Sequence, residues 1–174
     1  MGVRGVAITH LVPHTFYQGE YPTAPLTDAG KGAFEVEVRV HLWAPKAGKG
    51  SLIVVSGWGT TRTVEELAWP AGESNTSVRL HAEPAEVRLW WPQGAGPQPL
   101  YRVNASLLSE GAAPAVVATT SRRIGFRHVA LVTGNDTDPS YVQRAAAEQG
   151  TELHGMFFRV NGAVLFTRGA NMIP

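Results

Sequence analysis

The sequence predicts an all-β protein built as an antiparallel sandwich, and three observations carry that reading. Apolar and polar residues alternate through Phe34-Glu35-Val36-Glu37-Val38-Arg39-Val40-His41-Leu42, the period-two pattern of a strand with one buried face. About seven such segments recur along the first 132 residues, each bounded by glycine and proline clusters. No helical period lies between them, so a parallel βαβ arrangement finds no support.

Taken in order, strands are expected over 34–42, 51–55, 77–82, 86–90, 101–107, 115–120 and 123–132. The polar face of the first, Glu35, Glu37, Arg39 and His41, reads as a solvated sheet surface. The segment 51–55 is continuous enough in Leu52-Ile53-Val54-Val55 to be a core strand. Turns are expected at 44–48, 69–72, 93–97 and 110–114. Within 86–90, alternation with Val87 and Leu89 sends the two adjacent tryptophans to opposite faces: Trp91 to the core, Trp90 to an edge or a neighbouring domain. The texture changes after Val132. Asp138-Pro139 offers an N-cap followed by proline at the first helical position, and 140–149 is strong helix former closed by Gly150, so a short helix is expected there. Two apolar runs then flank Asn161-Gly162, the strongest two-residue signal for a type I′ hairpin. The fold class is therefore an immunoglobulin-like antiparallel β-sandwich with a short helical excursion and a C-terminal β-hairpin. The expected division is a sandwich over 1–132, a loop and helix over 133–152, and the hairpin with a following strand over 153–174.

Composition removes several functions. Of 174 residues 44% are hydrophobic, enough for a core, and 17% are charged, below the usual ~25%. A net charge of +1 removes the general electrostatic case for nucleic acid. The absence of cysteine excludes a disulfide framework, a cysteine zinc site and a thiol nucleophile. No apolar run approaches the ~20 residues that span a bilayer, so no membrane partner is expected. His10 and His14 have i, i+4 spacing, but Pro13 between them breaks the helix a zinc pair needs. The loop Ala47-Gly48-Lys49-Gly50-Ser51 fails the phosphate-loop spacing and reads as a turn. There is no G-x-S-x-G elbow. Glu65-Glu66, the only tandem of carboxylates, reads as a solvated turn, and no metal or cofactor is expected. The one basic cluster, Arg122-Arg123-Ile124-Gly125-Phe126-Arg127-His128, reads as the polar face of a strand or a surface pairing with a neighbouring domain. Sequons at Asn75, Asn104 and Asn135 are a mild hint of a secretory route.

Three ordered landmarks carry a resemblance. Val87-Arg88-Leu89-Trp90-Trp91-Pro92-Gln93-Gly94-Ala95-Gly96, with Gln98-Pro99-Leu100-Tyr101 after it, resembles the L-W-W-P-x-G-x-G-x-Q-P-L-Y stretch of β-mannosidases of glycoside hydrolase family 2. Ile124-Gly125-Phe126-Arg127-His128-Val129 is similar to the G-F-R-x-V element that ends the family's immunoglobulin-like domain. Phe158, Asn161-Gly162, Phe166 and Arg168-Gly169-Ala170-Asn171 are similar to the run leading into its catalytic barrel, and Asn171-Met172-Ile173-Pro174 to the N-[WM]-I-P of the β-mannosidases. Residues 1–86 match only loosely.

The resemblance implies a parent that is a retaining exo-β-mannosidase, removing terminal β-linked mannose from glycans with two glutamates on a (β/α)₈ barrel. Those glutamates would lie beyond Pro174, so no catalytic residue is expected in this chain. The segment would be a structural domain severed at the first barrel strand. Its expected partners are the barrel and an N-terminal sugar-binding-fold domain, with β-mannoside glycans reached only through the parent. A eukaryotic parent would be lysosomal or secretory. The resemblance further implies structural or interdomain roles for Trp90, Trp91, Gly125, Phe126, Arg127, Asn161, Gly162, Arg168 and Gly169, and a substrate contact at Asn171. Two alternatives stay open: a stand-alone carbohydrate-binding or adhesion module using Trp90, and the same domain from another family member such as a β-galactosidase or exo-glucosaminidase.

Overall fold

A computed structural model describes residues 5–111, 113–138, 140, 156–167 and 169. Its strands are β1 (Ala7–Tyr17), β2 (Phe34–Ala44), β3 (Gly48–Ser56), β4 (Thr61–Trp69), β5 (Gly72–Ala82), β6 (Tyr101–Ser109), β7 (Val116–Ile124), β8 (Val129–Val132), β9 (Phe157–Val160) and β10 (Ala163–Leu165). Seven of them form the expected sandwich, all pairings antiparallel: a sheet in the order β1-β2-β5 faces one in the order β4-β3-β6-β7. The remaining three, β10-β9-β8, make a small third sheet.

Strand β2 shows why the alternation folds this way. Phe34, Val36, Val38, Val40 and Leu42 are all buried, each stabilising the fold by roughly 1.5–3 kcal/mol. They meet Leu52 and Val54 of β3 and Val103, Ala105 and Leu107 of β6 in one core. The outward side chains pair locally, with Arg79 reaching Glu35 at 3.4 Å and Arg39 reaching Glu37 at 3.8 Å. The turns at 44–48 and 69–72 carry the chain from one sheet to the other, since β2 and β5 lie in the first and β3 and β4 in the second.

Several elements differ from the sequence expectation. β1 and β4 have no counterpart among the expected strands. β1 lies at the edge of its sheet, where Pro13 costs no ladder hydrogen bond to a further strand, and this places His10 and His14 on a strand rather than a helix. Glu65-Glu66 falls within β4, not in a turn. The pairing slips there, Gly50 opposing Leu67 and Leu52 opposing Val64, and Glu66 takes φ 55° in the resulting bulge. Residues 48–51 begin β3 rather than forming a turn. The segment 86–90 makes no ladder; among the described residues its backbone pairing is a single parallel bridge, Leu89 to Phe126, while Val87 and Leu89 pack into the core. The expected strand over 123–132 is two elements: β7 ends at Ile124, and β8 begins at Val129 in the third sheet. The hairpin forms as expected, with Asn161 at φ 49° and Gly162 at φ 80°, both positive as a type I′ turn demands. Of the helix expected over 140–149, all but Ser140 lies outside the described residues. At its first residue, the Ser140 amide donates to Asp138 Oδ1 at 2.9 Å and the Ser140 hydroxyl does so at 2.7 Å.

Candidate functional site: the seam between sandwich and hairpin

The hairpin is joined to the sandwich at its tip. Asn161 is fully buried and ties together four stretches of chain. Its amide donates to the His128 carbonyl at 2.8 Å, and its side-chain Oδ1 accepts from the His128 amide at 2.9 Å. Its Nδ2 donates to the Trp90 carbonyl at 3.0 Å, and its own carbonyl accepts from the Leu26 amide at 2.8 Å. Asparagine suits the place because it tolerates the left-handed backbone and carries both a donor and an acceptor. At Gly162 a Cβ would stand 1.9 Å from the Ala24 carbonyl oxygen, so only glycine lets that loop approach.

Behind the turn sits an ion pair. Arg159 is 7% exposed and Asp136 5%. The Arg159 guanidinium is bidentate to Asp136, Nη2 donating at 2.8 Å and Nε completing the fork, while Nη1 donates to the Gly162 carbonyl at 2.8 Å. Tyr21 adds a hydroxyl donor to the same carboxylate at 2.9 Å. The Arg159 hydrogen bonds, and that of Tyr21, hold the Asp136 carboxyl below the usual carboxylate range against the opposing effect of burial.

The segment after β7 supplies the other half. Phe126 is fully buried, its ring 5.0 Å from Trp58, 5.1 Å from Phe34 and 5.4 Å from Tyr101. Its carbonyl accepts from the Trp90 amide at 2.8 Å. Gly125 lies against Trp90, where a Cβ would come within 2.7 Å of the indole Cγ. Arg127 places its guanidinium 4.4 Å from the Trp90 ring centroid. The His128 ring packs edge-on to Tyr17 and Tyr21, both at 5.6 Å. Burial pushes its pKa down, and its Nδ1 is buried without a hydrogen-bond partner among the described residues. Trp91 is half-buried against the core, with Gly96 packed on its ring. On the far side Asp28 accepts from the Leu89 amide at 2.8 Å and meets Arg88 at 3.3 Å, fixing the irregular 86–90 segment in place of a ladder.

Of the residues singled out in sequence, Trp90, Trp91, Gly125, Phe126, Arg127, Asn161 and Gly162 gather at this seam. Gly169 is exposed with open space around it, and Arg168 and Asn171 lie outside the described residues. Sequence reasoning missed Tyr21, Asp28, Trp58, Asp136 and Arg159. Asp136 stood in view only as the middle of a sequon, and nothing in a loop reading pairs it with an arginine in a later strand.

Among the described residues no group of three or more histidine, aspartate or glutamate side chains is placed to hold a metal. One surface cleft, of about 560 Å³, is lined by two carboxylates, Glu66 and Glu110, together with Lys49. Both glutamates are exposed, and neither has a hydrogen bond or ion pair among the described residues, so nothing fixes their spacing as glycoside hydrolysis requires.

The family model for glycosyl hydrolases family 2 matches residues 21–127, more than half of the chain and most of the sandwich. The chain belongs to that family. Beta-mannosidase A of Aspergillus niger is 36% identical over 115 residues, which are 66% of this chain and 11% of that protein. Beta-mannosidase A of Aspergillus aculeatus is 39% identical over 92 residues, 53% of this chain and 9% of the relative. Among solved structures, a beta-D-mannosidase from Dictyoglomus thermophilum superposes with TM-score 0.64 at 17% identity, over 100% of this chain and 18% of that one. This family 2 chain thus spans about a tenth of the curated relatives it matches, and its sequence likeness is to β-mannosidases.

Proposed function

We propose that the chain is a non-catalytic structural domain of a retaining exo-β-mannosidase, an enzyme that removes terminal β-linked mannose from glycans. Its work is to brace a catalytic barrel against an N-terminal sugar-binding-fold domain. In this reading residues 1–132 form the brace, 133–152 a connecting excursion, and 153–174 the hairpin and first barrel strand. Asn171 stands at the rim of the substrate site, Arg168 and Gly169 lead into it, and the acid/base and nucleophilic glutamates belong to the barrel.

The observation that carries the reading is the fourfold hydrogen bonding of buried Asn161, which fixes the hairpin's departure angle from the sandwich. A catalytic domain begun from that hairpin inherits a defined orientation, which is what a brace must supply. The placement of Arg127 over Trp90 favours this reading over a sugar platform on Trp90, because one face of that ring is already covered. The test is hydrolysis of p-nitrophenyl β-mannoside. The purified 174-residue chain is expected to release no nitrophenolate above buffer, while the full-length polypeptide containing it turns the substrate over. Turnover by the chain alone overturns the proposal.

A further inference from the structure

A second cleft, of about 360 Å³, opens beside Trp90 and has no part in the seam's hydrogen bonding; Arg123, Arg127, Pro13, Leu100 and Ile124 line it with the indole. Its charge is one-sided. Arg102 on β6 stands directly opposite Arg123 on β7, a like-charge pairing that ordinarily destabilises a sheet. Among the described residues the Arg102 side chain finds only the Ser121 hydroxyl, at 3.0 Å. Among the described residues no carboxylate oxygen lies within 4.0 Å of Arg102, Arg122, Arg123 or Arg127, whereas Arg39, Arg79, Arg88 and Arg159 each have one. Arg127 is moreover preorganised. Its planar group lies over the indole, which holds the guanidinium while leaving its N–H edge free to donate two parallel hydrogen bonds.

We propose that this cleft seats an aspartate or glutamate side chain presented by another domain of the same polypeptide, with an apolar neighbour of that acid lying on Leu100. The proposal rests on the bracing reading above and adds which face meets the rest of the enzyme and through what chemistry. Charge complementarity calls for an anion, and the lining distinguishes its source. Leu100 is 48% exposed, and with Pro13 and Ile124 it gives the cleft an apolar wall that a peptide segment satisfies. The Trp90 face over which Arg127 lies is not open to a stacked sugar ring, so an acidic saccharide fits less well. The carboxylate accepts from Arg127 and Arg123 together, which relieves the repulsion between Arg123 and Arg102.

Arginine-directed labelling with phenylglyoxal, read residue by residue by mass spectrometry, tests this on the full-length polypeptide against the 174-residue chain. Arg123 and Arg127 are expected to label at least tenfold more slowly in the full-length protein, with Arg39 and Arg62 unchanged. Equal labelling of Arg123 and Arg127 in both proteins, with slowed amide exchange in β9 of the longer one, overturns the cleft proposal and leaves the bracing reading standing. Unchanged labelling and unchanged exchange in β9 overturn both. Protection of the isolated chain that rises with its own concentration assigns the cleft to a second copy, and protection by added oligogalacturonate but not by the longer polypeptide assigns it to a saccharide; either result overturns the proposal.

Discussion

The side-chain amide of Asn161 donates to the backbone carbonyl of Trp90 at 3.0 Å across 71 residues of sequence, and the same side chain accepts from the His128 amide at 2.9 Å. One planar group therefore joins the irregular segment before β6, the break between β7 and β8, and the tip of the hairpin.

Replacing that group should be costly. Asn161→Ala leaves the partly buried His128 amide and Trp90 carbonyl without these partners and sets a Cβ-bearing residue at φ 49° without asparagine's local hydrogen bonding. At ~1–3 kcal/mol for each unsatisfied group, a loss of about 3 kcal/mol is expected. Asn161→Gly keeps the backbone geometry and loses the same bonds, so it should fall slightly short of that. Urea midpoints at unchanged m-value measure both.

The Asp136–Arg159 pair makes a second, larger prediction. Asp136→Asn leaves a buried guanidinium without its counter-charge and should cost about 3–5 kcal/mol. The double variant Asp136→Leu with Arg159→Met should recover a substantial part of that loss, because neither charge is then stranded. Thermal unfolding of the three variants separates these outcomes.

The same carboxylate sets an acid limit. The folded-state pKa of Asp136 is depressed, so its contribution is complete above the unfolded value near 3.8 and is lost as pH falls through the lower folded value. Denaturant titrations of the wild type should steepen below about pH 4, and Asp136→Asn should flatten that part of the curve.

His128 acts at milder pH. Its pKa is lowered by burial between Tyr17 and Tyr21, so the unfolded chain takes up a proton before the folded one does. Stability should be full above the ordinary value near 6.5 and decline as pH drops below it, levelling once the folded state also protonates. His128→Gln should remove this slope between pH 7 and 5 and leave the acid limb of Asp136 in place.

Gly125→Ala forces the Trp90 ring to move, since the new methyl would stand 2.7 Å from the indole Cγ. The displacement breaks the contact with Arg127, so a change in tryptophan emission is expected with a loss of about 1–3 kcal/mol.

Much of this was legible in the chain and some was not, for physical reasons. The alternation of β2 fixes both its conformation and its buried face, and Asn161-Gly162 announces a turn because few other pairs accept two positive φ angles. The segment 86–90 alternates as faithfully: Val87 and Leu89 are buried and Arg88 is exposed, yet no ladder forms. Alternation reports which side chains turn inward, not whether the backbone finds a partner strand, and here Asp28 and Tyr101 satisfy its amides instead. β1 escaped notice because Pro13 and two histidines interrupt its pattern, a composition that an edge position permits. The Asp136–Arg159 pair joins residues 23 apart, with nothing local to mark either as the partner of the other.

The placement of β1 bears on where the domain may be cut. Its ten paired residues cover one whole side of β2, yet the family match begins only at residue 21, after β1 has ended. A fragment trimmed to that match would strip the flank of β2 and bare an eleven-residue strand of high β-propensity with an open row of amides and carbonyls. Such a trimmed protein is expected to self-associate through that open edge, and keeping β1 is expected to prevent it.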